Sequence, residues 1–369
     1  MKKILFGITG LTLGGAERVL VDIANNLCNK YDITIFTIYA KGELEKQLNE
    51  KVKLKSLYNC KYLELPNLKR KFIAPLKVLL FKKHIYNKYI KENYDTEISF
   101  LEGPITRLFS VKNKKTTKIA WIHNDISKVF GSGKKAKIKK WIDKKIYNKY
   151  EKLVFVSKDN LNNFNKLYPD LKNKDKRVIY NYIDSKKVLE KSEKKEQIKL
   201  DNSKINFLEV ARLVPQKAID RIIKVHSKLV KELGKTHNFY IIGDGPEREK
   251  LQELINKYNV NDTFYLLGKM ENPYPYIKKA NYFCLLSKFE GYGMVLEEAK
   301  ILNKPIIITN TAAREAVEGY ESAKIVENSE EGIYKELKNI IQNKKTNENK
   351  IEKYDNSSRL NEIIELIGD

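Results

Sequence analysis

The opening residues constrain the fold more than any other feature. A short β-rich run, Lys3–Ile8, leads into a glycine loop with Gly10, Gly14 and Gly15, and then Val19, Leu20, Ile23, Ala24 and Leu27 recur at helical spacing. Further β-rich runs at residues 33–38, 97–100, 118–122, 152–156 and 177–180 are separated by stretches long enough for helices. Alternation of this kind predicts a mostly parallel, doubly wound α/β sheet.

The pattern restarts near residue 205: strands at 207–210, 239–242, 264–267, 282–286 and 305–309, with helices at 219–233, 248–258 and 295–302. A length of 369 residues accommodates two such units. The expected organisation is a domain over 1–185, a polar linker over 186–204 and a second domain over 205–345. A segment over 346–369 is long enough to carry the chain back to the first domain. Two Rossmann-like domains in tandem are expected to face each other across a cleft, with ligands at the carboxyl ends of the strands.

Composition narrows the function. Hydrophobic residues make up 42% of the chain, yet no apolar run approaches the roughly 18 residues that span a bilayer. Cys28, Cys60 and Cys284 are widely separated and lack metal-type spacing with the histidines, so neither a disulfide framework nor a zinc site is expected. Met1-Lys-Lys with its brief apolar stretch reads as a strand rather than a secretory signal, which predicts a cytoplasmic location. The net charge of +24 is uneven: residues 1–185 hold 39 basic against 18 acidic side chains, and residues 186–369 hold 32 against 29. A basic first half attracts anions such as lipid headgroups, nucleic acid or a phosphorylated acceptor. No helix-turn-helix, zinc-finger or RNP-type aromatic motif accompanies it, so nucleic acid is not the expected partner.

Four places carry chemistry. Gly14-Gly15 lies at a strand-to-helix turn, where it suits a phosphate and a tight turn equally; the spacing is neither G-x-G-x-x-G nor a Walker motif. Arg212 and Lys217 follow a strand and precede a helix, placing two cations where a departing diphosphate would need them, or forming a surface ion pair. His123 ends another strand and is either a hydrogen-bonding group for substrate or structural. Glu290, Gly291, Tyr292, Gly293 and Met294 form a loop running into a helix that contains Glu298. That helix start offers backbone amides to an anion or a sugar hydroxyl, and carboxylates accept paired hydrogen bonds from vicinal diols. The plainer alternative is that Glu297 and Glu298 form a solvated helix face.

Taken in order, Gly14 to Arg18, Trp121-Ile-His123, Val156-Ser-Lys158, Asn181 with Asp184, Arg212 with Lys217, Ile242 to Pro246, and Glu290 with Glu298 resemble a family 4 retaining glycosyltransferase of GT-B fold. The likeness spans about residues 1–310. It implies a nucleotide-sugar donor, UDP-sugar being the commoner, with Arg212 and Lys217 on the diphosphate, Glu298 on the ribose, and Glu290 with the loop amides on the sugar. By the same resemblance Gly243 belongs to the donor-binding motifs, while His123 and Gly15 reach in from the first domain. The chain departs from the family pattern at Ala211, Ala218 and Tyr182, where glycines are usual. No D-x-D occurs, so no divalent metal or other cofactor is expected, and the diphosphate would meet protein cations instead.

The implied product is a surface glycan: capsule, exopolysaccharide or a related polymer, built on a glycan or lipid-diphosphate-linked acceptor. Residues 69–92 hold eight basic side chains against one acid, interleaved with Phe72, Ile73, Leu76, Leu79, Leu80, Phe81, Tyr86 and Tyr89, and residues 134–152 hold nine lysines against two acids. Such mixtures suit a helix lying on an anionic membrane surface, and equally a helix covering its own sheet. A peripheral position on the inner face of the cell membrane is the expectation. Two other readings, a basic nucleic-acid-binding protein and a catalytically silent GT-B partner subunit, are weakened by the absent motifs and by the intact charged set.

Overall fold

A computed structural model describes residues 1–61, 64, 66, 74–128, 133–195, 199–343, 354 and 356–368. The chain divides into two compact units, Met1–Ile183 with Ser357–Asp369, and Asp184–Asn356.

In the first unit the strands are β1 (Lys3–Ile8), β2 (Asp32–Tyr39), β3 (Lys53–Tyr58), β4 (Thr96–Ser99), β5 (Thr117–Ile122), β6 (Lys152–Phe155) and β7 (Asp175–Val178). They pair in parallel in the order β3-β2-β1-β4-β5-β6-β7. The order reverses between β1 and β4, which opens a crevice at their carboxyl ends. Helices α1 (Gly15–Leu27), α2 (Ala74–Tyr89), α3 (Pro104–Phe109), α4 (Lys134–Tyr147) and α5 (Lys158–Leu167) supply the crossovers. Phe36, Phe109, Tyr150, Phe155 and Phe164 are part of the core.

The stretch expected as a linker is in part a helix. Asp184 accepts a hydrogen bond from the Lys187 amide at 3.1 Å and caps α6 (Ser185–Ser192), which buries Val188 and belongs to the second unit. Its many lysines and glutamates mask a short amphipathic stripe, so composition alone concealed it. Beyond it come strands β8 (Ile205–Val210), β9 (His237–Ile242), β10 (Phe264–Gly268), β11 (Tyr282–Leu285), β12 (Ile306–Thr309) and β13 (Ala323–Val326). They are parallel in the order β10-β9-β8-β11-β12-β13, reversing between β8 and β11. The helices are α7 (Ile219–Leu233), α8 (Arg248–Lys257), α9 (Tyr274–Lys279), α10 (Met294–Ile301) and α11 (Glu330–Gln342). Phe207, Phe239 and Phe264 stack through the core, with ring centroids 5.9 and 5.4 Å apart.

The last helix, α12 (Ser357–Gly368), packs with the first unit: Lys2 donates to the Gly368 carbonyl at 2.7 Å, and Arg359 to the Asn181 carbonyl at 2.8 Å. The polar break at 344–353 lies outside the described residues.

The basic segment at 69–92 is described only from residue 74; Phe72 and Ile73 lie outside the described residues, as does the Leu79 side chain. Within α2 the apolar residues divide. Val78, Ile85 and Tyr86 are buried, and the Tyr86 hydroxyl donates to Glu97, whose carboxylate also pairs with Lys118 at 2.6 Å in β5. Leu76, Leu80 and Phe81 are more than half exposed. Tyr86, expected in the membrane-facing mixture, instead fastens the helix to its own sheet.

Candidate functional site

In the second unit two of the expected donor residues, Lys217 and Glu290, meet where the strand order reverses. Lys217 ends a short 3-10 turn, Pro215–Lys217, after β8, and its ammonium lies 2.5 Å from a Glu290 carboxylate oxygen in the loop after β11. Both side chains are largely buried, at 14% and 9% exposure. Arg212 stands exposed on the same β8 loop, its side chain without an ion pair among the described residues.

The loop that carries Glu290 is held at successive carbonyls. Arg221 donates to Leu286 at 2.7 Å, Thr309 to Ser287 at 2.7 Å, Asn328 to Lys288 at 2.8 Å and Gln216 to Phe289 at 2.9 Å. Beyond these anchors Gly291 is open, Gly293 adopts φ 73°, and Met294 begins α10 with no side-chain cap. The first turn of α10 thus begins on glycine backbone, with no side chain capping its amides.

The helix face is not solvated. Glu297 is fully buried, accepting from the Tyr292 hydroxyl at 2.5 Å and from Tyr354, and pairing with Lys300 at 3.2 Å. Glu298 is 4% exposed and accepts from the Tyr274 hydroxyl at 3.0 Å. Tyr292 thus turns its ring inward and contributes backbone to the loop.

Gly243 serves close packing. A Cβ there would fall 1.9 Å from the Ala211 carbonyl oxygen, so the end of β9 lies against the residue before Arg212. The departure at Ala218 is less mild than an Ala-for-Gly exchange suggests: its backbone sits at φ 51°, ψ 37°, left-handed geometry that costs an alanine on the order of 1 kcal/mol and a glycine little.

In the first unit His123 follows β5, against Phe100 at 4.7 Å between ring centroids and stacked with Trp121 at 6.3 Å. Burial pushes its imidazole down to about 3, so it is neutral at physiological pH, and its Nε2 finds no protein partner among the described residues. It is a hydrogen-bonding group rather than a cation. Glu102, after β4, accepts from the Asn124 amide at 2.6 Å and holds the His123-Asn124 turn. Gly14 is the N-cap of α1 and Gly15 its first residue, at the carboxyl end of β1. His123 and the glycine pair therefore lie at the ends of strands in one sheet.

The sequence reading missed Glu209, fully buried in β8, with one carboxylate oxygen accepting from the Leu286 amide at 3.2 Å and the other unpartnered among the described residues. Burial pushes it up to about 8, against the opposing pull of Lys217. Its signal was a lone acid in an apolar strand.

Residues 190–356 match the family model for glycosyl transferases group 1. That stretch of the chain is similar to the group 1 glycosyltransferases. An uncharacterized glycosyltransferase of Methanocaldococcus jannaschii is 29% identical over 290 residues, covering 76% of this chain and 68% of that protein. The Campylobacter jejuni N-acetylgalactosamine-N,N'-diacetylbacillosaminyl-diphospho-undecaprenol 4-alpha-N-acetylgalactosaminyltransferase is 27% identical over 364 residues, 94% of this chain and 92% of the relative. Among solved structures, Anabaena Alr3699/HepE in complex with UDP and glucose superposes over all of both chains with a TM-score of 0.74 at 16% identity. The two-domain α/β architecture of the chain is that of the GT-B fold.

Proposed function

We propose that this protein is a glycosyltransferase that moves a hexose or N-acetylhexosamine from a UDP-sugar to a lipid-diphosphate-linked glycan, with retention of configuration. The observation that carries the reading is the Lys217–Glu290 pair beside Arg212 at the β8/β11 reversal. Cations at that point stabilise negative charge as the sugar–phosphate bond breaks, and Glu290 with the loop amides suits sugar hydroxyls. Glu298 is the ribose contact in this reading. His123, in the first unit, offers a neutral imidazole for a hydrogen bond. With the acceptor on the leaving group's face, the departing phosphate takes the acceptor's proton. The Campylobacter relative's diphospho-undecaprenol acceptor and the UDP bound by HepE support the choice of substrates.

Catalysis is proposed to run without a divalent metal, Arg212 and Lys217 serving the diphosphate. Nucleoside diphosphate release from a panel of UDP-, GDP- and ADP-sugars in EDTA should reveal turnover with a UDP-sugar that Glu290→Ala lacks. Restoration only by Mg²⁺ or Mn²⁺ would refute the metal-free route.

A peripheral position on the inner leaflet, in capsule or other surface-glycan assembly, is part of the same proposal. Among the described residues no helix is long and apolar enough to cross a membrane. Exposed Leu76, Leu80 and Phe81 on α2 and Ile138 and Trp141 on α4 stand among lysines. Burial and the nearby Lys149, two residues past the end of α4, push Lys82 on α2 down to about 8. Each cation near an anionic leaflet contributes about 1 kcal/mol. Flotation should therefore recover the protein with anionic vesicles in a salt-sensitive way, and Leu80→Glu with Phe81→Glu should reduce recovery. Equal, negligible recovery on anionic and neutral vesicles would point to a soluble acceptor.

A further inference from the structure

Glu209 has no role in the chemistry just described, yet it holds the start of the loop that carries Glu290. It occupies the next-to-last position of β8 and is fully buried. One oxygen holds the Leu286 amide at the base of the loop carrying Glu290, and the other has no partner among the described residues. The charged and titratable groups acting on it are Lys217 and Arg221, which favour its ionised form, and Glu290, which opposes it; Cys284 in β11 is also within its electrostatic reach.

A carboxyl so placed cannot be indifferent to what Lys217 binds. In the empty site Lys217 is the strongest cation acting on it. A diphosphate seated on Lys217 neutralises that cation and adds negative charge nearby, and both changes favour the protonated acid.

We propose that Glu209 makes donor binding proton-linked: an anionic nucleoside diphosphate on Lys217 is held with Glu209 as the neutral acid, so that binding to the protein with Glu209 ionised takes up one proton from solvent. The inference rests on the reading that Lys217 receives the diphosphate. Glu209 is a positioning residue here, acting through Lys217 and the loop rather than touching the donor. The balance is ionised Glu209, a proton and the free diphosphate giving protonated Glu209 with the diphosphate bound. Because burial already pushes Glu209 to about 8, the linkage falls at mildly alkaline pH.

Calorimetric titration with UDP between pH 7.5 and 9.5, in two buffers of different ionisation enthalpy, tests it. The UDP phosphates, with a last ionisation at about 6, are fully charged throughout. Wild-type affinity is expected to fall on the order of tenfold across that range, with uptake approaching one proton per UDP at the alkaline end. Glu209→Gln should hold its affinity within about twofold and take up none. Proton uptake by wild type alone decides the matter if the variant fails to fold. Absent uptake in wild type, or unchanged pH dependence in Glu209→Gln, would overturn the proposal while leaving Lys217 in place. UDP binding as tightly to Lys217→Ala as to wild type, or not binding to wild type, would overturn the underlying reading and this inference with it.

Discussion

Replacing Lys217 with alanine is expected to lower kcat/KM for the donor by about 10²- to 10³-fold, the range for losing a preorganised charge that faces a developing anion, or about 3 to 4 kcal/mol. The argument starts from position. Lys217 is fixed by the 3-10 turn after β8, by the left-handed Ala218 behind it, and by its pairing with Glu290. A lysine held by backbone geometry and a carboxylate needs little reorganisation when charge develops on the leaving diphosphate, so most of the loss appears in kcat. Arg212→Ala is expected to act in the same direction with a larger share in KM, since a donor on this exposed side chain would have to order it. Steady-state kinetics with one UDP-sugar separates the two, and wild-type kcat/KM in Lys217→Ala would remove it from the site.

Glu297→Ala is expected to cost about 3 to 5 kcal/mol of stability, because the substitution removes a buried carboxylate that pairs with a buried cation. Lys300 stays buried beside the vacancy, and the hydroxyls of Tyr292 and Tyr354 lose an acceptor. Tyr292 belongs to the glycine loop, so the donor KM should rise as well. Replacing Lys300 with methionine in the same background should recover much of the stability, since an apolar side chain has no charge to leave unpaired. Denaturant unfolding of the three proteins measures this. A loss below about 1 kcal/mol in Glu297→Ala would mean that the network carries little weight.

Much of this was legible in the sequence, for reasons that can be named. Helix α7 was read with its observed bounds because Ile219, Ile222, Ile223, Val225 and Leu229 repeat with a helical period and face the core. Arg212, Lys217 and Glu290 were legible as charges flanking strand ends, which is where this topology places ligands. Strands β3 and β13 were missed because they lie at sheet edges, where Lys53, Lys55 and Lys324 interrupt the apolar runs of central strands. Glu209 was missed because its importance is tertiary. Nothing in Ile205-Asn-Phe-Leu-Glu-Val210 says that the acid faces the Leu286 amide from a different strand's end. Likewise Glu297 and Glu298 look like a solvated helix face until Tyr274, Tyr292, Lys300 and Tyr354 are seen to enclose them.

The central claim, a retaining, metal-free transfer from a nucleotide-sugar, is tested most directly by the product. Purified protein incubated in EDTA with a UDP-hexose or UDP-N-acetylhexosamine and a lipid-diphosphate-linked sugar should release UDP in step with product. The anomeric coupling constant of the new linkage, measured by NMR, should report the donor's own configuration. An inverted linkage, or no transfer from any UDP-, GDP- or ADP-sugar by a folded protein, would contradict the account.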